Sequence, residues 1–205
     1  MNDFSGSKKT PKTARGRRTR DKLLQAAEFE FGEKGFHEAS VSGITHRAGV
    51  ALGSFYNYFE SKDEIFRALV YYMSRRIRGY IAERVADAPD RLSAERRGLL
   101  AFMEFVREHP GIYRIISEAE FVANEAFVEH YTEFARAYRE NLESAGERDD
   151  IRAGDYEIWS WAIMGMAVFL GMRFADWDDA TPPEQVAEAV ADLIGRGITK
   201  DGGGA

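Results

Sequence analysis

Apolar side chains in this chain return every third or fourth residue almost wherever they gather, and strand-like alternation bounded by turns is scarce. That period lines one face of a helix and gives a sheet no buried side, so the chain reads as all-α. Its breaks set the elements. Residues 1–16, polar and interrupted by Pro11 and Gly16, are expected to form a disordered basic arm. A first helix is predicted over about 19–34, with Leu23, Leu24, Ala27, Phe31 and Phe29 on its apolar side and Gly35 at a left-handed C-cap. Ser40 can cap a second over 41–48, which Gly49 ends, and a third covers about 52–58. Ser61 with Glu64 three residues later forms a capping box for a fourth, running toward Pro89. The remaining periodic stretches predict helices at about 93–108, 111–122, 125–145, 155–177 and 183–196, with 201–205 as a tail.

Residues 40–64 carry the functional signal. Two short helices joined by a glycine-containing turn make a helix-turn-helix, whose second helix can enter the major groove of DNA. Ile44, Ala48, Val50, Phe55 and Phe59 have the spacing of a small core that fixes one helix against the other. Leu52, Gly53, Ser54, Tyr56, Asn57 and Tyr58 then face outward or toward the groove edges. Gly53 permits close backbone approach, and Ser54 and Asn57 can exchange hydrogen bonds with base edges. Ser42 is a further phosphate candidate, and Lys62 adds its charge to the anion-favouring N–H groups opening the fourth helix. The blander alternatives are tyrosines that cap the small core, a solvated Asn57 and a surface Lys62.

Charge is divided in the same way. The whole chain carries −6, which gives no support to nucleic-acid binding, but residues 1–20 hold seven cations against Asp3 alone, a net of +6 that leaves −12 elsewhere. A cationic arm beside a helix-turn-helix suits a polyanion, and Arg15, Arg17, Arg18 and Arg20 are placed for phosphates or an adjacent minor groove.

The run Gly35-Phe36, Ile44, Ala48-Gly49-Val50, Gly53-Ser54-Phe55-Tyr56-Asn57-Tyr58-Phe59 and Ser61-Lys62-Asp63-Glu64 resembles, in order and spacing, the DNA-binding domain of the TetR family of transcriptional regulators. The resemblance covers about 17–66 and implies a three-helix DNA-binding head there, with 67–200 as a helical bundle that binds a small effector and dimerises. It implies a homodimer with its heads in successive major grooves of a DNA operator, tyrosine hydroxyls on phosphates at Tyr56 and Tyr58, and release of DNA when the effector binds. Repression is the family default. An activator, or a chromosome-organising protein with a protein partner, remains open. The chain departs from the family pattern after the Gly-Val corner: Ala51 cannot cap the third helix, and Leu52 cannot pair with a phosphate, though it suits a thymine methyl.

Aromatic and methionine residues concentrate in the C-terminal part, where they serve either a core or an apolar pocket. Since the resemblance implies a cavity, the candidates for its wall are Phe102, Met103 and Val106, then Tyr113, Ile116 and Phe121, then Phe134 and Tyr138, and finally Met166, Phe169 and Arg173. A small hydrophobic effector is expected; Arg173 either pairs with an acidic group on it or forms a salt bridge to Glu118 or Glu120. The 155–177 helix is apolar nearly all round and must be covered on both sides. Its Ala162 and Gly165, with Val186, Val190, Leu193 and Ile194 of the next helix, are expected to meet their copies across a two-fold axis, as the last two helices do in the family.

Other functions find little material. With no cysteine there is no thiol chemistry and little basis for zinc, and neither metal nor cofactor is expected. For an all-α enzyme the raw material is His109, His130, Glu118, Glu120 and Asp149-Asp150, none at catalytic or ligand spacing. The longest apolar stretch, 158–172, falls short of the roughly 20 residues of a membrane span and reads as a buried helix. No apolar leader opens the chain, so the cytoplasm is expected.

Overall fold

The computed structural model describes residues 11–178 and 180–198, and among them every regular element is helical. In chain order these are α1 (Ala14–Glu38), α2 (Val41–Ala48), α3 (Leu52–Phe55), α4 (Lys62–Val85), α5 (Arg91–Glu108), α6 (Ile112–Val122), α7 (Asn124–Glu147), α8 (Tyr156–Gly171) and α9 (Pro183–Ile198). A π-helical turn, Met172–Asp176, prolongs α8. The tail at 201–205 and the first ten residues of the arm lie outside the described residues.

Local chemistry explains most of the boundaries. The α1 helix starts earlier than the predicted residue 19, because the Thr13 hydroxyl accepts a hydrogen bond from the Gly16 N–H at 3.1 Å and caps it. Arg15, Arg17 and Arg18 are therefore helical, and the arm's expected boundary at 16 moves back to Ala14. Gly35 interrupts α1 at φ 77° and ψ 170°, a positive φ as expected but with extended ψ. Ser40 caps α2 by accepting from Gly43 N–H at 3.0 Å, and Gly49 closes it in the left-handed region. The third helix is shorter than predicted: the chain leaves it as a turn, with Phe59 N–H donating to the Phe55 carbonyl at 3.0 Å. Ser61 caps α4 at Glu64 N–H, while the Glu64 carboxylate accepts from Glu60 N–H, one residue before the expected partner.

The chain folds as two compact units. One holds the described part of Met1–Arg75 together with Pro110–His130, and the other holds Arg76–His109 with the described part of Tyr131–Ala205. The first unit thus puts α6 together with the helix-turn-helix. Gly32 and Gly111 let the backbones of α1 and the α6 entry cross closely: a Cβ on Gly111 would lie 2.5 Å from Gly32 Cα. Two polar contacts hold the crossing. Arg114 Nη1 donates to the Glu33 carbonyl at 2.7 Å, and Phe36 N–H donates to Glu118 Oε2 at 2.7 Å. In the core of this unit Phe66 stands edge-on to both Phe31 and Phe36, with centroids 5.0 Å apart in each pair, beside buried Leu23, Leu24, Ile65 and Leu69. Phe29 is a correction: it lies half exposed beneath the Arg47 guanidinium.

In the second unit Leu142, Ala145, Ile151, Ile163, Ile194 and Ile198 form a buried cluster, with Tyr138, Trp159, Met166 and Val190 packed on it. Arg152 closes the end of α9, its N–H donating to the Ile198 carbonyl at 2.9 Å and its Nε to the Gly197 carbonyl at 2.7 Å. Arg107 donates to the Phe174 carbonyl in the π turn at 3.0 Å and to the Thr181 carbonyl at 2.8 Å. Buried Glu95 accepts from Arg91 Nε at 2.8 Å and from the Tyr138 hydroxyl. Burial pushes its carboxyl above the ordinary range, against the pull of Arg91.

Two expectations for this unit meet a different packing. Val186 and Ile194 are buried in the unit's own core and Val190 packs against it, so that side of α9 is already covered. Only Leu193, 61% exposed, is left open among the four α9 residues expected at a two-fold axis. The 155–177 helix is not buried. Tyr156–Asp176 is long and apolar enough to cross a membrane by length and composition, and only 22% of that window is buried. Ile158, Trp161, Ala162 and Phe169 are exposed along it, and a Cβ on Gly165 would meet nothing within 4 Å.

Candidate nucleic-acid interface

The second and third helices are locked from beneath. Ile44, Phe55 and Phe59 are wholly buried, with the Phe55 and Phe59 rings 5.7 Å apart, while Ala48 and Val50 are partly covered. Arg20 of α1 lies 5.5 Å from the Phe59 ring centroid on the other side. Gly43 meets α1 with no side chain of its own: a Cβ there would come 2.1 Å from Glu30 Oε1, a buried carboxylate that pairs with Lys34 Nζ at 2.8 Å. α2 is thereby pressed onto α1, and α3 presents its other side to solvent.

The residues before and between the buried phenylalanines lie outward. Leu52 is 50% exposed, Tyr56 49% exposed, and Gly53 and Asn57 are also exposed. Ser54 and Tyr58 are half-buried at the edges. A seven-residue span thus brings one hydroxyl, one carboxamide and two phenols to a single surface, a mixture of donors and acceptors able to meet base edges and phosphate oxygens. Ser42 is exposed, with its hydroxyl 3.1 Å from that of the cap residue Ser40. Arg15, Arg17 and Arg18 are exposed on the first turns of α1.

Lys62 has a different role from the expected one. Its ammonium donates to the carbonyls of Phe36, His37 and Ala39 at 2.7, 3.1 and 3.0 Å and lies 4.5 Å from the Phe36 ring. An ammonium has three donors, and all three are spent on the end of α1. Glu118, weighed from sequence as a partner for Arg173 or as raw material for an enzyme, instead holds Phe36 in this unit.

The expected pocket residues do not form one set. Met103 and Val106 are buried in the second unit, with Phe102 and Phe134 partly covered, whereas Ile116 is buried in the first unit with Tyr113 partly covered. Phe121 is 85% and Phe169 68% exposed, and side chains so open cannot wall an enclosed pocket in a single copy. Arg173 pairs with Asp178 at 2.9 Å, not with Glu118 or Glu120. That carboxyl is held below its ordinary range by the Ala180 N–H and then by Arg173.

Known proteins share this arrangement. The family described as bacterial regulatory proteins, tetR family, matches residues 23–69. The HTH-type transcriptional regulator YdgC of Bacillus subtilis is 30% identical over 186 residues, covering 88% of this chain and 93% of that protein. Among solved structures, a protein of Mesorhizobium loti described as a TetR-family transcriptional regulator superposes with a TM-score of 0.78 at 18% identity, over 91% of this chain and 100% of that one. The fatty acid degradation regulator FadR of Bacillus halodurans superposes with a TM-score of 0.73 at 19% identity, over 90% and 96% of the two chains.

Proposed function

Because this chain belongs to the TetR family of DNA-binding transcriptional regulators, we propose that it is a homodimeric repressor, released from its operator by a small hydrophobic effector. In this reading 17–66 contacts DNA and 67–200 binds effector and dimerises in the cytoplasm. Ser54 and Asn57 read base edges, Tyr56, Tyr58 and Ser42 hold phosphates, and Gly53 lets the backbone come close. Arg15, Arg17 and Arg18 add phosphate contacts from α1. The observation that carries the reading is the alternation in 52–59: Phe55 and Phe59 are wholly buried while Leu52, Tyr56 and Asn57 stand in solvent. The effector is drawn to the apolar side chains of the second unit, Phe102, Met103, Val106, Phe134, Tyr138 and Met166. A likeness in fold to a regulator named for fatty acid degradation suits a ligand of that character.

Selection of bound sequences from random duplexes tests the proposal. One operator should emerge, and Asn57→Ala should weaken it by about tenfold or more relative to mismatched DNA, the cost of losing a base-edge contact. Replacing Arg15, Arg17 and Arg18 with alanine should instead weaken every sequence alike and flatten the salt dependence, since fewer counterions are released. Equal, feeble affinity for all duplexes would sink the reading.

A further inference from the structure

The surface that meets DNA in this reading opens with three residues that have no hydrogen-bonding side chain. Ala51, Leu52 and Gly53 are all exposed, and Ala51 makes no side-chain cap to α3. A Cβ on Gly53 would meet nothing within 4 Å, so the surface at the residue after Leu52 is open. Leu52 is 50% exposed, whereas Phe55 is wholly buried in the small core.

Duplex chemistry narrows what such a side chain can meet. Base edges in the major groove are donors and acceptors with one apolar exception, the C5-methyl of thymine. A leucine pressed on a carbonyl or amino edge strips its water and returns no hydrogen bond, which costs binding. Pressed on a methyl, it removes two apolar surfaces from water at once. From this we infer that Leu52 selects one base pair in each operator half-site by contact with a pyrimidine C5-methyl. The inference rests on the DNA-binding reading above and names what that surface recognises at one position.

Two consequences separate a methyl contact from ordinary base reading. Deoxyuridine differs from thymidine only in lacking the methyl, so its substitution at that position should weaken the intact protein. Cytosine presents an amino group in place of the thymine carbonyl but takes a methyl at the same C5, so methylating a cytosine placed there should recover part of the loss. Leucine has no polar group with which to tell the two pyrimidines apart.

The test uses the full chain and the operator selected from random duplexes, with each thymine replaced in turn by deoxyuridine and affinity read by fluorescence anisotropy. One thymine per half-site should respond with a loss of about threefold to fourfold, the worth of one methyl kept from water. Leu52→Ala, at a half-exposed site that leaves the fold intact by circular dichroism, should bind the thymidine and deoxyuridine duplexes equally there. Phe29→Ala, an equally exposed apolar residue on α1, should keep the wild-type difference. The inference is overturned if no thymine responds, if Leu52→Ala loses the same factor as wild type, or if 5-methylcytosine binds no better than cytosine at that position. Failure of the regulator reading looks different, since no sequence would be enriched in the first place.

Discussion

Phe36 is held at both of its peptide groups by residues distant in the chain. Glu118 accepts its N–H and Lys62 donates to its carbonyl, and the positive φ of Gly35 turns the chain so that both can reach it. A Cβ on Gly35 would lie 2.6 Å from Glu118 Oε1, so the glycine makes room for the carboxylate as well. Removing the acceptor should strand a partly buried N–H, at a cost of about 1–3 kcal/mol. Glu118→Ala is therefore expected to lower the urea midpoint while Glu118→Gln, which keeps a carbonyl oxygen, recovers most of it. An alanine variant as stable as wild type would show that water replaces the carboxylate freely. Residue roles of this kind were the least legible part of the sequence. Ser40, Gly49 and Ser61 act on neighbours a few positions away and could be read locally, but the Glu118 contact spans 82 positions and no local rule reaches it. Lys62 was misread for the same reason, since its carbonyl partners come from the far end of α1.

Helix existence was well marked in the sequence, because periodicity and caps are properties of single segments. Which side of a helix meets which neighbour was not. The α9 stripe of Val186, Val190 and Ile194 would serve a two-fold axis or the chain's own core equally well, and only packing against α5 and α8 decides for the core. Polar residues inside the bundle were equally hidden: Arg91, Glu95 and Tyr138 form a network that no motif announces. Glu95 has a measurable signature. Desolvation raises its folded carboxyl above the ordinary 4.5, with Arg91 opposing more weakly. The folded state thus holds the proton to higher pH than the unfolded chain, so this group's stabilising contribution is fully present below 4.5 and is lost as pH climbs through the raised folded value. Thermal midpoints measured across that window should fall with rising pH more steeply for wild type than for Glu95→Gln. Parallel curves would mean that Glu95 does not titrate in the window.

At the scale of the whole molecule, the dominant fact is the uncovered apolar side of α8. Ile158, Ala162, Gly165 and Phe169 recur at helical spacing along one face, with Trp161 beside them and Leu193 open on α9. In the proposed dimer a second copy covers them, and Phe169→Glu would put like charges into that contact. The variant is expected to sediment as a monomer at micromolar concentration, with its helical content unchanged and its operator affinity reduced. A Phe169→Glu protein that stays dimeric would move the two-fold axis elsewhere. The start of α1 bears on the same question of how the molecule meets a long polymer. Capped at Thr13 and anchored by buried Leu23 and Leu24, the α1 segment that carries Arg15, Arg17 and Arg18 is the outer end of a rod. At 1.5 Å per residue Arg15 stands about 14 Å from Leu24, so a tilt of about 10° at the anchored end would carry its backbone about 2.4 Å sideways, roughly four-fifths of a hydrogen-bond length. In the proposed DNA complex, such a lever would convert a slight rotation at the anchored end into the making or breaking of a phosphate contact at its tip.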